Sequence, residues 1–478
     1  MSFRVSALAA LALVVPAGVT ATRAQAAHKP APYLSGLRCV PATAKGCGTE
    51  ARARIGGQVQ LRGNRLYSGM RVTFRWSTGA LATTLQHKRS GWIAKVPVGT
   101  APGKVAVTVR DRARRRSNAR HVRVTVALLP TPKNVVAGNG ELPLAFRGNG
   151  MWIWELPKSE RGDVAAIAAK AHATGIATVF VKSADGAKVW SQFTPQLVAE
   201  LHALGLKVCA WQYVYGSNPS GEAAAAATAA AKGADCFVID AESEYQGRYG
   251  AAQTYINALR AAVGEAYPIG LSSFPYVHYH PRLPYSVFLG PGGAQANLPQ
   301  VYWKTIGTTV QTASARTMMH NRIYGTALAP LGQAYSAPAT TDLTAFRQIW
   351  ASYGAKGLSW WSWQASSAAT WTTLAEPDPV PGLIADAGWP ALALKSKGDQ
   401  VIWLQQHLAS FDPAVPIDGT FGVSTQAAVR ALQAARGLPV TGGTDAATWK
   451  ALLELPLQAV DWTGASARSA AAVRRSGP

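Results

Sequence analysis

Ala234-Asp-Cys-Phe-Val-Ile-Asp-Ala-Glu-Ser-Glu-Tyr245 is the stretch whose reading decides the fold. Its apolar run, Cys236 to Ile239, has the length and composition of a buried strand. Three carboxylates, Asp240, Glu242 and Glu244, stand at the C-terminal end of that run. Residues two apart in an extended strand share a face, so Asp240 and Glu242 point the same way. Two neighbouring carboxylates rarely ionise together, and one keeps its proton toward neutral pH. Capping the next helix needs one carboxylate, not three. The pattern therefore favours chemistry over capping.

Outward from this segment, strand-like and helix-like stretches alternate over residues 148–375. The strands read as 150–155, 177–183, 206–213, the acidic-ended segment itself, 268–274, 298–303, 322–325 and 357–363. Helical patterns fall at 163–172, 195–204, 222–231 and 249–263. Eight strand–helix units in one run predict a (β/α)8 TIM barrel. A doubly wound sheet places a Gly-rich phosphate turn after its first strand, and Glu155-Leu-Pro stands there instead. No nucleotide, and no other cofactor, is expected.

The chain is long enough for about three domains. Met1-Ser-Phe-Arg, an apolar run over 5–15 and Ala24-Gln-Ala26 make residues 1–26 a secretory signal peptide. No later apolar run reaches the ~18 residues of a membrane span. The protein is expected to be secreted, extracellular or associated with the cell wall. Short alternating runs over 33–127 predict a β-sandwich. Residues 128–145 and 376–390 read as linkers, and 465–478, rich in Ala, Ser and Arg, as a disordered tail. In an exported domain, Cys39 and Cys47 are expected to form a disulfide. Cys209 and Cys236, inside apolar runs, read as buried thiols. The net charge is +23. Its excess is concentrated in residues 28–123, where only Glu50 and Asp111 oppose the Lys and Arg. Such a surface seeks polyanions. Outside a cell these are anionic wall polymers, lipids or acidic glycans. Nucleic acid is not expected, because aromatic nucleic-acid motifs are lacking.

In a TIM barrel the reacting groups project from the C-terminal ends of the strands. The residues there are Trp154 and Glu155, then Lys182 and Asp185, then Trp211 and Tyr213. Asp240, Glu242 and Glu244 follow, then Tyr276, His278 and His280, then Tyr302, Trp303 and Lys304, and finally Trp361, Trp363 and Gln364. Sugar rings present apolar faces to aromatic platforms and hydroxyls to carboxylates and amides, so this set suits a glycan. About half of the aromatic residues are expected to fill barrel layers instead. His278 and His280 lack a third ligand at a metal-site spacing, and no metal is expected.

Three resemblances accompany these readings. The pattern over 57–74, including Val59, Leu61, Met70, Val72 and Phe74, resembles Ig-like domains of the TIG type. That likeness implies a spacer or adhesion module. Gly398-Asp-Gln-Val-Ile-Trp-Leu-Gln-Gln-His-Leu408, Asp418-Gly-Thr-Phe-Gly-Val-Ser-Thr-Gln-Ala-Ala-Val429, Leu432-Gln, Gly437 and Thr448-Trp closely resemble the peptidoglycan-binding domain of bacterial wall hydrolases. The likeness spans 392–453. Periodicity there also predicts three helices, with Val401, Leu404 and Leu408 on one apolar face and Ala428, Val429 and Leu432 on another.

The Asp-x-Glu ending strand four resembles TIM-barrel lysozymes and chitinase-type N-acetylhexosaminidases. This likeness implies Glu242 as general acid, Asp240 as the residue orienting the substrate N-acetyl group, and Tyr302 as its holder. In that route the N-acetyl oxygen replaces an enzymic nucleophile. Glu155, Lys304, Cys236 and Val238 stand where those families carry Asp, which leaves Glu155, Asp185 and Glu244 as supporting acids. The expectation is a secreted wall protein that binds peptidoglycan and hydrolyses an N-acetyl-sugar glycan. The alternatives are a lectin-like binder with a degenerate barrel and a hydrolase of another exported polysaccharide.

Overall fold

The structure is a computed structural model that describes residues 30–40, 51–54, 57–77, 79–97, 100, 103–125, 141–382 and 384–464. The expected signal peptide, most of the first linker, Cys47 with its expected bridge to Cys39, and the 465–478 tail lie outside the described residues. The described chain divides into two compact units near residue 124.

In the first unit the alternating runs form two sheets. One orders Tyr33–Cys39, Gln58–Asn64, Gly91–Lys95 and Gln86–Lys88; the other orders Arg52–Arg54, Arg120–Thr125, Gly103–Arg110, Arg71–Arg75 and Ala80–Thr84. Period-two alternation sorts their faces. In Arg71–Arg75, Val72 and Phe74 are buried while Arg71 and Arg75 are exposed.

The second unit holds a closed parallel barrel. Its strands are β1 (Gly148–Ile153), β2 (Ile176–Asp185), β3 (Lys207–Val214), β4 (Cys236–Ala241), β5 (Ile269–Ser273), β6 (Ala296–Val301), β7 (Leu331–Gln333) and β8 (Gly357–Trp361). Each pairs in parallel with the next, and β1 pairs with both β2 and β8, which closes the ring. Several barrel helices begin where the sequence supplies a side-chain cap. Asn218 accepts from the Gly221 N–H and Pro219 takes the first turn, so Pro219–Ala231 starts three residues before the expected 222.

Two expectations are corrected. Residues 322–325 are not strand seven, because Arg322–Tyr324 is a single 3-10 turn. The strand follows as Ala327–Leu328 and Leu331–Gln333, each paired with β6. Pro330 sits between the two pieces and donates no ladder hydrogen bond. Cys209 and Cys236 are not thiols but a disulfide. They are direct cross-strand partners on β3 and β4, with Cα atoms 4.6 Å apart. That distance lies inside the bridging range, and the strand register that produces it is a tertiary fact with no local signal.

The barrel has two apolar layers. Met151, Ile153, Val179, Val181, Phe237 and Ile239 face the helices. Phe146, Trp152, Phe180, Cys209, Trp211, Cys236, Val238 and Leu298 fill the interior. Crowding in this interior fixes Gly150, since a Cβ there would lie 2.4 Å from Phe180 Cε2.

After the barrel come Asp399–Leu408, Val423–Ala435 and Ala446–Leu453, the three helices the periodicity predicts. Val401, Leu404, Leu408, Ala428, Val429 and Leu432 are all buried. This helical segment docks on the barrel. Asp399, fully buried, accepts from Ser286 N (2.9 Å), Ser286 Oγ (2.7 Å) and Tyr324 Oη (2.7 Å). Trp403 Nε1 donates to the Ile323 carbonyl at 2.6 Å.

Candidate active site

The interior faces of β4, β5 and β6 bring the acidic strand tip to the C-terminal mouth of the barrel. Along β4, Cys236 and Val238 belong to the interior, so the period of two aims Asp240 inward above them. Asp240 pairs in register with Ser272 on β5 and Tyr213 on β3. From β6, the Gln300 amide reaches across. Its Nε2 donates to Asp240 Oδ1 (3.0 Å), to Glu242 Oε1 (2.9 Å) and, at 3.3 Å, to Ser272 Oγ. One nitrogen bonded to both carboxylates holds those two oxygens within about 6 Å of each other. Asp240 is 6 % exposed, while Glu242 is only partly buried.

This geometry perturbs both acids in the same direction. Burial, and next the charge of Glu242, push Asp240 well above the usual carboxylate range; the Lys182 charge and the Gln300 and Ser272 hydrogen bonds oppose them. Burial likewise raises Glu242, opposed by Gln300 and assisted by Glu244. The pair thus retains a proton above the normal carboxylate range. For Glu244 the balance reverses. Burial raises it, but the Tyr213 hydroxyl leads the hydrogen bonds and charge that hold it below its usual value. Tyr213 Oη donates to Glu244 Oε2 at 2.7 Å.

Lys182 is the cation of the site. Its side chain is 5 % exposed and pairs with Asp185 Oδ2 at 2.6 Å. The ammonium lies 4.5 Å from the Trp190 ring centroid, 4.9 Å from Trp211 and 5.8 Å from Trp154. Tyr215 Oη completes the chain by donating to Asp185 Oδ1 at 2.8 Å. Beside the cation stands an aromatic wall. The Trp361 ring is 5.3 Å from Trp211, 5.8 Å from Trp152 and 6.3 Å from Trp154. Trp154 is 43 % exposed, so this wall reaches solvent. Burial, with Asp240, Tyr335 and Glu242 nearby, raises Tyr302, whose ring meets Tyr335 edge-on at 5.4 Å.

The structure thus gathers Asp240, Glu242, Glu244, Lys182, Asp185, Tyr213, Trp154, Trp211, Trp361 and Tyr302 around one mouth. Other candidates fall elsewhere. Trp303 packs against Phe346 in the helix-facing core, and Trp363 against Trp371. Glu155 is held by Lys158 at 2.6 Å, and no hydrogen bond links it to the acidic pair. Tyr276 is buried beside Tyr279 and under Arg316. The Gln364 side-chain oxygen is buried without a partner. Gln300 was missed, although it precedes Tyr302 by two residues on β6 and shares its face. Among the described residues, no group of three or more His, Cys, Asp or Glu could hold a metal ion.

Residues 397–452 match the protein-family model described as "Putative peptidoglycan binding domain". No curated protein matches the chain. Among solved structures, a thermostable chitinase from Pyrococcus furiosus is similar at 11% identity and TM-score 0.39, over 49% of this chain and 95% of that one. A chitinase from Chromobacterium violaceum shows 12% identity and TM-score 0.34, over 48% and 98%. An endo-β-1,4-mannanase from Thermotoga petrophila shows 8% identity and TM-score 0.35, over 46% and 68%. At such scores these likenesses carry no argument about chemistry.

Proposed function

We propose that the chain is an exported wall-directed glycoside hydrolase. In this reading the C-terminal helical segment holds it on peptidoglycan, and the barrel cuts a glycan bearing N-acetyl sugars. The observation that carries the reading is the Gln300 amide joining Asp240 to Glu242 beside an aromatic wall. Such a wall suits the apolar face of a sugar ring, and a carboxyl that keeps its proton suits a glycosidic oxygen.

The roles follow from the asymmetry of the pair. Glu242, the more exposed partner, is assigned the proton the pair retains, because it is the one a glycosidic oxygen can reach; at Asp240 the Lys182 charge opposes the burial that raises it. Glu242 donates that proton to the leaving glycosidic oxygen as its bond to the anomeric carbon breaks. Asp240 stays anionic and orients the N-acetyl group whose oxygen attacks that carbon. Water then opens the cyclic intermediate, its hydroxyl going to the anomeric carbon and its proton to Glu242. Tyr302 lines the same mouth as a hydroxyl donor, while the Tyr213 hydroxyl is committed to Glu244. Tethering to an insoluble polymer raises the barrel's effective concentration on it, which gives the two-part design a purpose. The first unit serves as an Ig-like spacer.

The reading is tested by incubating the protein with purified sacculi, chitin and mannan and measuring new reducing ends. Release from sacculi or chitin, with mannan untouched, is the expected result. Release from mannan alone moves the activity to another polysaccharide. Sacculus binding with no release from any substrate leaves the lectin-like alternative.

A further inference from the structure

We propose that the first unit carries a binding site for a phosphodiester-linked polyanion, built from Arg71, Arg75, Arg110 and Arg116 on the open face of one sheet. These four arginines, with Thr73 and Thr108, line a cavity of about 300 Å³. The strand period puts them there. Arg71, Thr73 and Arg75 alternate with buried Val72 and Phe74, and Thr108 and Arg110 alternate with buried Val107 and Val109. Register does the rest, setting Arg71 directly opposite Arg110 and Thr73 opposite Thr108. Arg116 joins through a bridge to Arg110 and donates from Nε to Thr108 Oγ1 at 3.3 Å.

Like charges placed opposite each other destabilise an antiparallel pair. Nothing among the described residues offsets this pairing. No carboxylate lines the cavity. Asp111, the one described acid of this unit, is buried and bound to Arg115 at 2.7 Å. An arrangement that costs stability and has no counter-charge among the described residues is suited to an external anion. Guanidinium forks match phosphate oxygens, and threonine hydroxyls donate alongside them.

Two observations choose among polyanions. No aromatic ring lines the cavity, so bases of single-stranded nucleic acid would find no stacking platform. The C-terminal segment matches a peptidoglycan-binding model, which sets the chain among envelope polymers. The choice of a phosphate-backboned envelope polymer over nucleic acid rests on that wall reading.

The probe is poly(glycerol phosphate), with double-stranded DNA and hyaluronate as competitors matched in charge. The full chain is expected to bind the probe most tightly. Arg71→Gln with Arg110→Gln should weaken that binding at least about tenfold and flatten its salt dependence. Lys88→Gln with Arg89→Gln, which removes the same charge from exposed positions outside the cavity, should leave affinity within about twofold. Arg71→Lys with Arg110→Lys, which keeps the charge, should fall between them, and it serves if the Gln pair does not fold. Equal loss in both Gln pairs would reduce the effect to net charge. Equal or tighter binding of DNA or hyaluronate would overturn the choice of partner. Sacculi stripped of anionic polymer report the C-terminal segment separately, so a failure there is distinguishable.

Discussion

At the residue scale, Asp240 shows a site working against its own fold. Its carboxyl is raised by burial, so the unfolded chain ionises first as pH rises. Stability is therefore fully present below the ordinary Asp value of about 4 and is lost as pH climbs from there through the elevated folded value. Asp240→Asn should abolish activity yet stabilise the protein by about 1–2 kcal/mol near neutral pH. Gln300 can turn its amide to suit the new partner. Thermal melts should show this gain vanishing near about pH 3, where Asp240 is protonated in both states. A second prediction concerns the cation. With Lys182→Met, Asp240 loses the charge that favours its ionised form. The acidic limb of the pH–activity profile should then move upward, and an unmoved limb would remove Lys182 from the proton balance.

At the element scale, the period of two explains which candidates reach the mouth. Trp154, Lys182, Trp211, Tyr213, Asp240 and Tyr302 occupy the inward phase of their strands, whereas Trp303, one residue past Tyr302, faces the helices. The strand carrying the acidic pair was legible because its apolar run ends in carboxylates. β7 was not, because its two short pieces are separated by Pro330 and carry no periodic signal. The disulfide was equally hidden, since strand register is a tertiary fact. Its sequence separation is 27 residues. Loop-closure entropy for such a bridge amounts to about 3–4 kcal/mol. Replacing both cysteines by alanine should therefore lower the melting temperature of the barrel in non-reducing buffer. In the helical segment, Gln405 and Gln433 play matching parts. Each buried amide ties its helix to the following turn, Gln405 at Gly419 and Thr425 and Gln433 at Gly442 and Thr448. Leu404 and Leu432 mark those helices in the sequence, but the glutamines carry no apolar signal.

At the scale of the whole molecule, the C-terminal helices are bolted to the barrel rather than strung from it. The buried carboxyl of Asp399 is raised to about 6 by burial, against hydrogen bonds led by Ser286 and Tyr324. Its contribution to docking is full below the ordinary Asp range and is lost as pH rises through about 6. Trp403→Ala removes a buried indole and its bond to Ile323, which should cost about 3–5 kcal/mol. Calorimetry should then resolve the barrel and the helical segment as two transitions, where in the wild type the second unit melts as one. The central claim of the proposed function is that Glu242 acts as the acid at the barrel mouth. The most direct test measures reducing ends released from purified sacculi by Glu242→Gln, with sacculus binding followed in parallel. The account predicts binding unchanged and release lowered about a hundredfold or more. Release at the wild-type rate would contradict it.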